Sequence, residues 1–446
     1  MSDRQDISLE QITDFKVPAY PLPEAHRMVR SRYIVGLILL IFFVMSFLTN
    51  IPGAIIPDII TGFHVSLTVV ALLPFFFFSA YGVMSIPAGF LVERYTEKPV
   101  MVASFAAGLA GSLSIALRPS FLVIVVASFV VGAGMASLQV AINPLLRVAG
   151  GEEHFAFNSA FAQLVFGAAS FLSPRVYSYI VEHRGSYSSV GISPMQILNR
   201  LTPAKLPWVA IYWIFAAASI VMIAILAFSR VPRVERKADE QAGTLSMYRD
   251  LLHKRVVWLF FGCVFAYVAS EQGTANWISQ FLATYHHANP DTTGANAVSW
   301  FWGLLTLGCL LGMFLLKLFD SRHVLIGFST ATLLCLTVAL FGPAKVAIIA
   351  FPAIGFFASI MWPVVSSLAL NSVAEHHGSF AGILCTGIVG GAFGPIIIGR
   401  IGDLFGLRAG MCFLYLTFGC VLSVGFWAKP LISNATILQK KETQIA

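Results

Sequence analysis

Twelve long apolar segments separated by short polar turns dominate this chain of 446 residues. A helix needs about 20 mostly apolar residues to cross a bilayer, and every segment reaches roughly that length. Hydrophobic residues make up 57% of the chain and charged residues 11%, whereas a soluble domain has about a quarter charged. The pattern predicts an all-α membrane protein and excludes a soluble enzyme. The expected spans, numbered 1 to 12, cover residues 33–57, 66–92, 99–117, 120–146, 155–182, 207–229, 256–283, 298–319, 323–342, 346–373, 379–400 and 408–428.

The distribution of basic residues predicts the orientation of the spans. Lys and Arg gather on the side that holds both termini, and basic residues mark the cytoplasmic side of a membrane protein. Both termini are therefore expected in the cytoplasm, with no cleaved signal peptide before the first span. The same distribution accounts for the net charge of +7 without a nucleic-acid partner.

The connection between spans 6 and 7 divides the chain into two sets of six. An offset of about 220 residues superimposes spans 4–5 on spans 10–11 and span 1 on span 7. Two six-helix halves with a site at their joint are typical of rocking secondary transporters. The expected organisation is a tail at 1–32, a bundle at 33–229, a linker at 230–255, a bundle at 256–428 and a tail at 429–446.

Cofactor motifs are missing from the sequence. The six cysteines all lie in apolar segments of the second half without a CxxC pair, so neither a disulfide framework nor a structural metal site is indicated. No GxxxxGK[ST] loop is present, so ATP is not the expected energy source. The expected partners are the bilayer, a small substrate and a co-transported ion, with the protein acting as a monomer.

One polar stretch, YVASEQGTANWISQF at 267–281, interrupts the apolar pattern of span 7. Glu271 is the carboxylate that lies well inside a span, where an ionised side chain costs at least about 2.5 kcal/mol. We expect it to face a polar cavity, bind a cation or carry a proton, with Na⁺ near Glu271 as one version. Gln272, Asn276 and Gln280 recur every four residues and so share one helix face, which favours a water-filled path.

Amide side chains in other spans complete a candidate sugar site. Amides both donate and accept hydrogen bonds, which suits neutral polyols. Asn50 corresponds to Glu271 under the internal offset, so we expect the two to face each other across a central cavity. Aromatic rings in spans 7 and 10 offer a face for a sugar ring. The candidate substrate-binding residues are Asn50, Gln139, Asn143, Gln163, Glu271, Gln272, Asn276, Trp277 and Trp362.

The loop between spans 2 and 3, AGFLVERYTEKPV at 88–100, resembles the G-x-L-a-D-r-x-G-r-[RK] signature of the major facilitator superfamily. Gly89, Leu91, Arg94 and Lys98 match, and Glu93 replaces the aspartate. The resemblance implies the major facilitator fold, with 12 transmembrane helices in two pseudo-symmetric six-helix bundles. It also implies that Gly89, Glu93, Arg94 and Lys98 belong to a loop that holds the inward gate shut.

Within that superfamily, LQVAINPLLRVAGG in span 4 and the span 7 stretch resemble the fucose–galactose–glucose symporter family. The resemblance implies monosaccharide uptake across a bacterial inner membrane, driven by a co-transported H⁺ or Na⁺. Several family residues are replaced. Gly53 and Gln139 stand where the fucose/proton branch has acidic residues, and Phe161 and Leu164 stand where members carry a Q-x-x-N pair.

These observations predict a secondary active transporter that imports a neutral hexose with a cation, using Glu271 for coupling. Two other functions stay open. The glycine-rich GIVGGAFGP of span 11 is compatible with an exporter or a drug/proton antiporter of the same fold. A sugar sensor that binds without transporting is the other, although the short tails offer no signalling domain.

Overall fold

The computed structural model describes residues 31–150, 155–183, 194–231, 245–373 and 377–430. The described residues are all-helical, and 12 helices among them are long and apolar enough to span a membrane. The predicted number of spans is confirmed, whereas most of both predicted tails and the centre of the predicted linker lie outside the described residues. The spans are Arg32–Phe63, Leu67–Tyr95, Glu97–Leu117, Phe121–Gly150, Phe161–Glu182, Pro207–Phe228, Arg255–His286, Pro290–Leu318, Ser321–Phe341, Ala344–Leu370, Ser379–Phe405 and Leu407–Trp427.

Two spans are interrupted near their middle. Span 1 consists of the helices Arg32–Thr49 and Pro52–Phe63, and span 10 of Ala344–Ala358 and Met361–Leu370. Pro52 stands at the start of the second helix of span 1, where its missing N–H costs no helical hydrogen bond. Non-helical backbone is tolerated at membrane depth only where protein or a water-filled cavity surrounds it. The break in span 1, where Asn50 leaves helical geometry, therefore points to the interior of the bundle. The break in span 10 is milder, since Ser359 and Ile360 keep helical dihedral angles.

Shorter elements make up the ends of other spans and the connections. Span 5 belongs to a helix that begins at Phe155 and ends at Glu182. Two short helices, Pro194–Leu201 and Leu245–Leu252, lie before spans 6 and 7. The remaining pieces are Leu67–Val70 and Leu72–Tyr95 in span 2, Pro207–Val209 and Ala210–Phe228 in span 6, Pro290–Gly294 and Ala295–Leu318 in span 8, His377–Thr386, Gly387–Val389 and Gly390–Phe405 in span 11, and Leu407–Met411 and Phe413–Trp427 in span 12.

Spans 1–6 pack together as one half of the molecule, the N-half, and spans 7–12 as the other, the C-half. Small residues bring neighbouring helices close. A Cβ atom at Gly134 of span 4 would lie 2.6 Å from the carbonyl oxygen of Ser104 in span 3. Close backbone approach of this kind is how membrane helices gain packing where the hydrophobic effect is weak.

The two halves meet mainly at one end of the bundle. We call the end where span 1 begins and span 12 ends the terminal end, and the opposite end the distal end. Span 1 contacts span 7 through its distal helix Pro52–Phe63. The other helix of span 1, Arg32–Thr49, makes no comparable contact with span 7, and spans 4 and 10 make no comparable contact with each other. Spans 5 and 8 pack through residues 167–175 and 299–306, which run from the middle of each span toward its distal end. The described residues are thus closed at the distal end and separated at the terminal end.

Candidate functional site

Glu271 lies near the middle of the 32-residue helix Arg255–His286 and is half-buried. The Tyr267 phenol, one turn earlier on the same helix, lies beside its carboxylate. Within the described part of the chain, no Lys or Arg pairs with Glu271. A carboxylate at this depth has acceptor capacity for a ligand or a cation.

Side chains of spans 8 and 10 surround this carboxylate within the C-half. The Tyr267 ring lies 6.3 Å from the ring of Trp362 in span 10, just past the break in that span. The thiol of Cys309 in span 8 donates to the carbonyl of Ser359 at the break, at 3.3 Å. The C-half therefore brings together a carboxylate, a phenol and a half-buried indole, groups that bind sugar hydroxyls and the apolar face of a sugar ring.

The amides predicted on spans 4 and 5 belong to the N-half. Gln139 is half-buried, and Asn143 and Gln163 are exposed. None of the three bonds to another described residue. Polar side chains within membrane spans face the bundle interior or a water-filled cavity, so these amides are available to a ligand.

Asn50 does not face Glu271 as predicted. It stands at the break of span 1 and is buried, and its amide donates to the hydroxyls of Ser46 at 3.3 Å and Ser170 at 2.9 Å. Ser46 also bonds to Ser170 at 2.6 Å. The amide is thus used to join spans 1 and 5 within the N-half, because the break in span 1 turns Asn50 toward span 5.

Two predictions for span 7 are corrected by its packing. Trp277 is fully buried, and its indole nitrogen donates to the Pro395 carbonyl at 3.2 Å, so no face is left for a sugar. Asn276 is buried and donates to the backbone carbonyl of Gln272 at 2.8 Å, and the Gln272 side chain is also buried. The polar face lies in the distal half of span 7, which the closed distal end shields from water.

Gly53, where the resemblance implies a carboxylate, lies at a close approach between spans 1 and 7. A Cβ atom there would overlap the carbonyl oxygen of Ala275 and lie 3.3 Å from Val298. A carboxylate at this position does not fit the closed distal end. The replacement by glycine therefore changes the packing of the halves as well as removing a titratable group.

Lys98 and Arg94 of the predicted gating loop make contacts within the N-half. The Lys98 ammonium donates to the carbonyls of Ala227 and Ser229, both at 2.9 Å, at the end of span 6. Arg94 is exposed and lies 5.3 Å from the ring of Tyr95, and Glu93 is also exposed. A Cβ at Gly89 would meet nothing within 4 Å. This agrees with a terminal end at which the halves are apart.

Three carboxylates that the sequence analysis left unused take part in contacts between the halves at the distal end. Asp403 of span 11 accepts hydrogen bonds from the backbone N–H groups of Leu67 and Thr68 at the start of span 2, both at 2.9 Å. Tyr177 of span 5 donates to Asp58 of span 1, and its hydroxyl lies 3.1 Å from Asp291 of span 8. Asp403 could have been noticed in GRIGDLFGLR at 399–408, where it follows Gly399 by four residues, as Glu93 follows Gly89 in the loop after span 2.

Twelve spans in two six-helix halves, closed at one end around a polar centre, define a membrane transporter of the rocking type. A model of the Major Facilitator Superfamily matches residues 38–386. The chain belongs to that superfamily, whose members are transporters rather than enzymes.

Relatives extend the comparison over most of the chain. A glucose/galactose transporter of Brucella abortus is 29% identical over 394 residues, which cover 85% of this chain and 91% of the relative. The L-fucose-proton symporter of Escherichia coli K12 is 24% identical over 396 residues, 84% and 88% of the two chains. A crystal structure of the E. coli fucose:proton symporter aligns with a TM-score of 0.63 at 19% identity, over 89% of this chain and 99% of that one. The resemblance to the sugar-symporter branch is confirmed.

Proposed function

We propose that this protein imports a neutral hexose together with a cation by alternating access. The observation that carries the proposal is the central group in which Glu271 lies beside Tyr267, whose ring contacts Trp362. The names of the relatives, a glucose/galactose transporter and an L-fucose-proton symporter, support a sugar as substrate. Hexoses present hydroxyls for the carboxylate and the amides and an apolar ring face for the indole.

The orientation follows from the basic residues of the terminal end. Arg94, Lys98, Lys254, Arg255 and Arg322 lie at or beside helix ends on that side, and such residues favour the cytoplasm. In this proposal the terminal end is cytoplasmic, the arrangement of the halves corresponds to the inward-facing state, and the protein works as a monomer in a bacterial inner membrane. The sugar leaves between the separated ends of the halves.

Coupling depends on the charge of Glu271 in this scheme. A cation that enters with the sugar neutralises the carboxylate, so that the halves can close over it without leaving an unpaired charge in a dry interface. A proton does this by converting the carboxylate to the neutral acid. Sodium does it with the carboxylate and the Tyr267 hydroxyl oxygen among its ligands. The relative from E. coli is named for proton symport, which supports the proton version.

The test is uptake by purified protein in proteoliposomes. Labelled glucose, galactose and fucose are offered under a proton gradient or a sodium gradient, for wild type and Glu271→Gln. We expect wild type to accumulate at least one sugar under one gradient. Glu271→Gln should lose gradient-driven accumulation and keep sugar counterflow, because the amide preserves the shape and much of the hydrogen bonding.

Glu182→Gln is the matched control, since it removes a carboxylate from the exposed distal end of span 5 and should transport normally. Unchanged accumulation by Glu271→Gln would contradict the coupling role. Sugar binding without counterflow in wild type would show a sensor, and efflux driven by an inward proton gradient would show an antiporter.

A further inference from the structure

Arg175 is a cation placed at the joint between the halves near the distal end. Its guanidinium lies 4.4 Å from the ring of Phe171 in its own span 5 and 5.4 Å from the ring of Trp300 in span 8 of the C-half. The Nε atom is enclosed and has no hydrogen-bond partner. Within the described part of the chain no carboxylate pairs with Arg175, so its charge is met by aromatic faces alone.

Aromatic faces attract the charge of Arg175 but do not fill its hydrogen-bonding capacity. A guanidinium carries five N–H donors in a planar fork. A partly buried cation without a counter-ion is unfavourable in a low-dielectric setting, and the fork matches the oxygens of phosphate groups with two parallel hydrogen bonds. The Arg175 guanidinium therefore has unused donors for an anion, and no described residue of the chain supplies one.

A cavity of about 530 Å³ opens beside this guanidinium. Its walls offer hydrogen-bond donors from a guanidinium, a hydroxyl and an amide, together with an indole, and include no carboxylate. The nearest acidic residue along span 8, Asp291, is turned to Tyr177. The lining residues are Arg175, Thr293, Asn296, Ala297, Trp300 and Ile348.

The depth of the cavity matches the headgroup region of a bilayer. Arg175 lies seven residues before the end of the helix Phe155–Glu182, about 10 Å along its axis. That helix has 28 residues and is longer than the hydrocarbon core of about 30 Å requires. The guanidinium thus lies near the boundary between hydrocarbon and headgroups, where phospholipid phosphates are within reach of an arginine side chain.

We propose that this cavity binds a phosphate group, and that it does so only while the distal end is closed. Arg175 comes from the N-half and Thr293, Asn296 and Trp300 come from the C-half, so separation of the halves takes the site apart. A group that binds one of two states shifts the population toward that state. The phosphate source is a phospholipid headgroup or free phosphate, and its binding stabilises the distal-closed state whatever the transported substrate is.

The experiment measures hydrogen–deuterium exchange of the full chain in maltoside micelles, which contain no phosphate. The probes are phosphatidylglycerol, diacylglycerol as the same lipid without phosphate, and inorganic phosphate. We expect phosphatidylglycerol to slow exchange in segments 167–177 and 295–306 of wild type, and diacylglycerol to have no effect. In Arg175→Gln, the concentration of phosphatidylglycerol that is needed to slow exchange should rise about tenfold or more, because a charged hydrogen bond is lost. For Arg175→Lys, this concentration should lie between the values for wild type and Arg175→Gln.

Arg408→Gln is the matched control. The Arg408 guanidinium also lies over aromatic rings, 4.5 Å from Tyr285, and its Nε atom is likewise enclosed without a partner. Its rings belong to the C-half, so this variant should respond to lipid as wild type does. A response to inorganic phosphate at low concentration would identify free phosphate as the ligand. No slowing in wild type by either phosphate source, or equal responses of Arg175→Gln and wild type, would overturn the proposal.

Discussion

Glu271 has a neighbour, Tyr267, that the sequence contained but did not single out. An ionised carboxylate at the centre of a span costs at least about 2.5 kcal/mol, and a hydrogen bond to a charged group contributes about 1.5–3 kcal/mol. A hydrogen bond from the adjacent Tyr267 hydroxyl would therefore offset a cost of this size. Tyr267 stands four residues before Glu271, the spacing at which helical side chains meet, so this pair was accessible from the sequence.

The amides of span 4 should act on the ligand rather than on the fold. Gln139→Ala and Asn143→Ala each remove a polar group that is half-buried or exposed and bonds to no described residue. We expect hexose affinity to fall about two- to tenfold for each, as for the loss of one neutral hydrogen bond. The melting temperature should change little. Isothermal titration with the transported sugar and thermal unfolding in detergent measure the two effects.

Asn276→Ala is expected to affect stability more than sugar binding, the opposite of Gln139→Ala and Asn143→Ala. Its side chain is buried and bonded to the backbone of Gln272, so its removal should lower the melting temperature more than the sugar affinity. If Gln139→Ala and Asn143→Ala instead lowered the melting temperature with unchanged affinity, they would be structural residues.

At the scale of the helices, the breaks in spans 1 and 10 decide which predicted residues reach the centre. The break in span 10 places Trp362 beside Tyr267, whereas the break in span 1 turns Asn50 onto Ser170. Apolar runs predicted the spans closely, because length and hydropathy are local properties of the chain. The breaks and the side-chain partners were not predicted, since they depend on which helix packs against which.

The start of span 2 is anchored across the halves by Asp403. The two carboxylate oxygens of Asp403 accept hydrogen bonds from the backbone N–H groups of Leu67 and Thr68, and the Ser66 hydroxyl accepts one from the N–H of Val69. Asp403→Asn keeps the shape but loses the charge and its attraction to the positive end of the helix. We expect the distal-open population to rise about tenfold, for a loss of about 1.5 kcal/mol. The distal-open population is measured by pulsed electron paramagnetic resonance, as the distance between spin labels at positions 182 and 349 in a variant whose native cysteines are replaced.

Asp320→Asn is the matched control for this helix cap. Asp320 accepts from the backbone N–H of Arg322 at the start of span 9, at 2.8 Å, and both residues belong to the C-half. This variant should lower stability without changing the label distance. Equal distance distributions for Asp403→Asn and Asp320→Asn would show that Asp403 does not hold the halves together.

At the scale of the whole molecule, the closed distal end depends on glycine at position 53. Gly53→Ala adds a Cβ atom that overlaps the Ala275 carbonyl only when spans 1 and 7 are together. Because backbone cannot yield as a flexible side chain does, we expect the distal-closed state to be strongly disfavoured. Sugar uptake should fall at least tenfold, since distal closure is a step of every cycle. The same label distance and proteoliposome uptake measure these effects.

Gly36→Ala is the control in the same span, because a Cβ at Gly36 meets nothing within 4 Å. It should leave distance and uptake unchanged. Normal uptake by Gly53→Ala would mean that the close approach of spans 1 and 7 is not required for transport. The sequence showed that Gly53 replaces a family carboxylate, but the reason became visible only when span 7 was placed against it.

The distal closure also has a consequence for the conditions under which the protein works. Several contacts across the joint do not involve an ion pair. Backbone N–H groups donate to Asp403, Tyr177 lies between Asp58 and Asp291, and the Ser299 hydroxyl donates to the Phe171 carbonyl. Dissolved salt screens charges over a Debye length of about 8 Å at physiological ionic strength, and contacts of about 3 Å lie well inside it. The contacts of Asp403 and Tyr177 across the joint should therefore persist through large changes in external salinity.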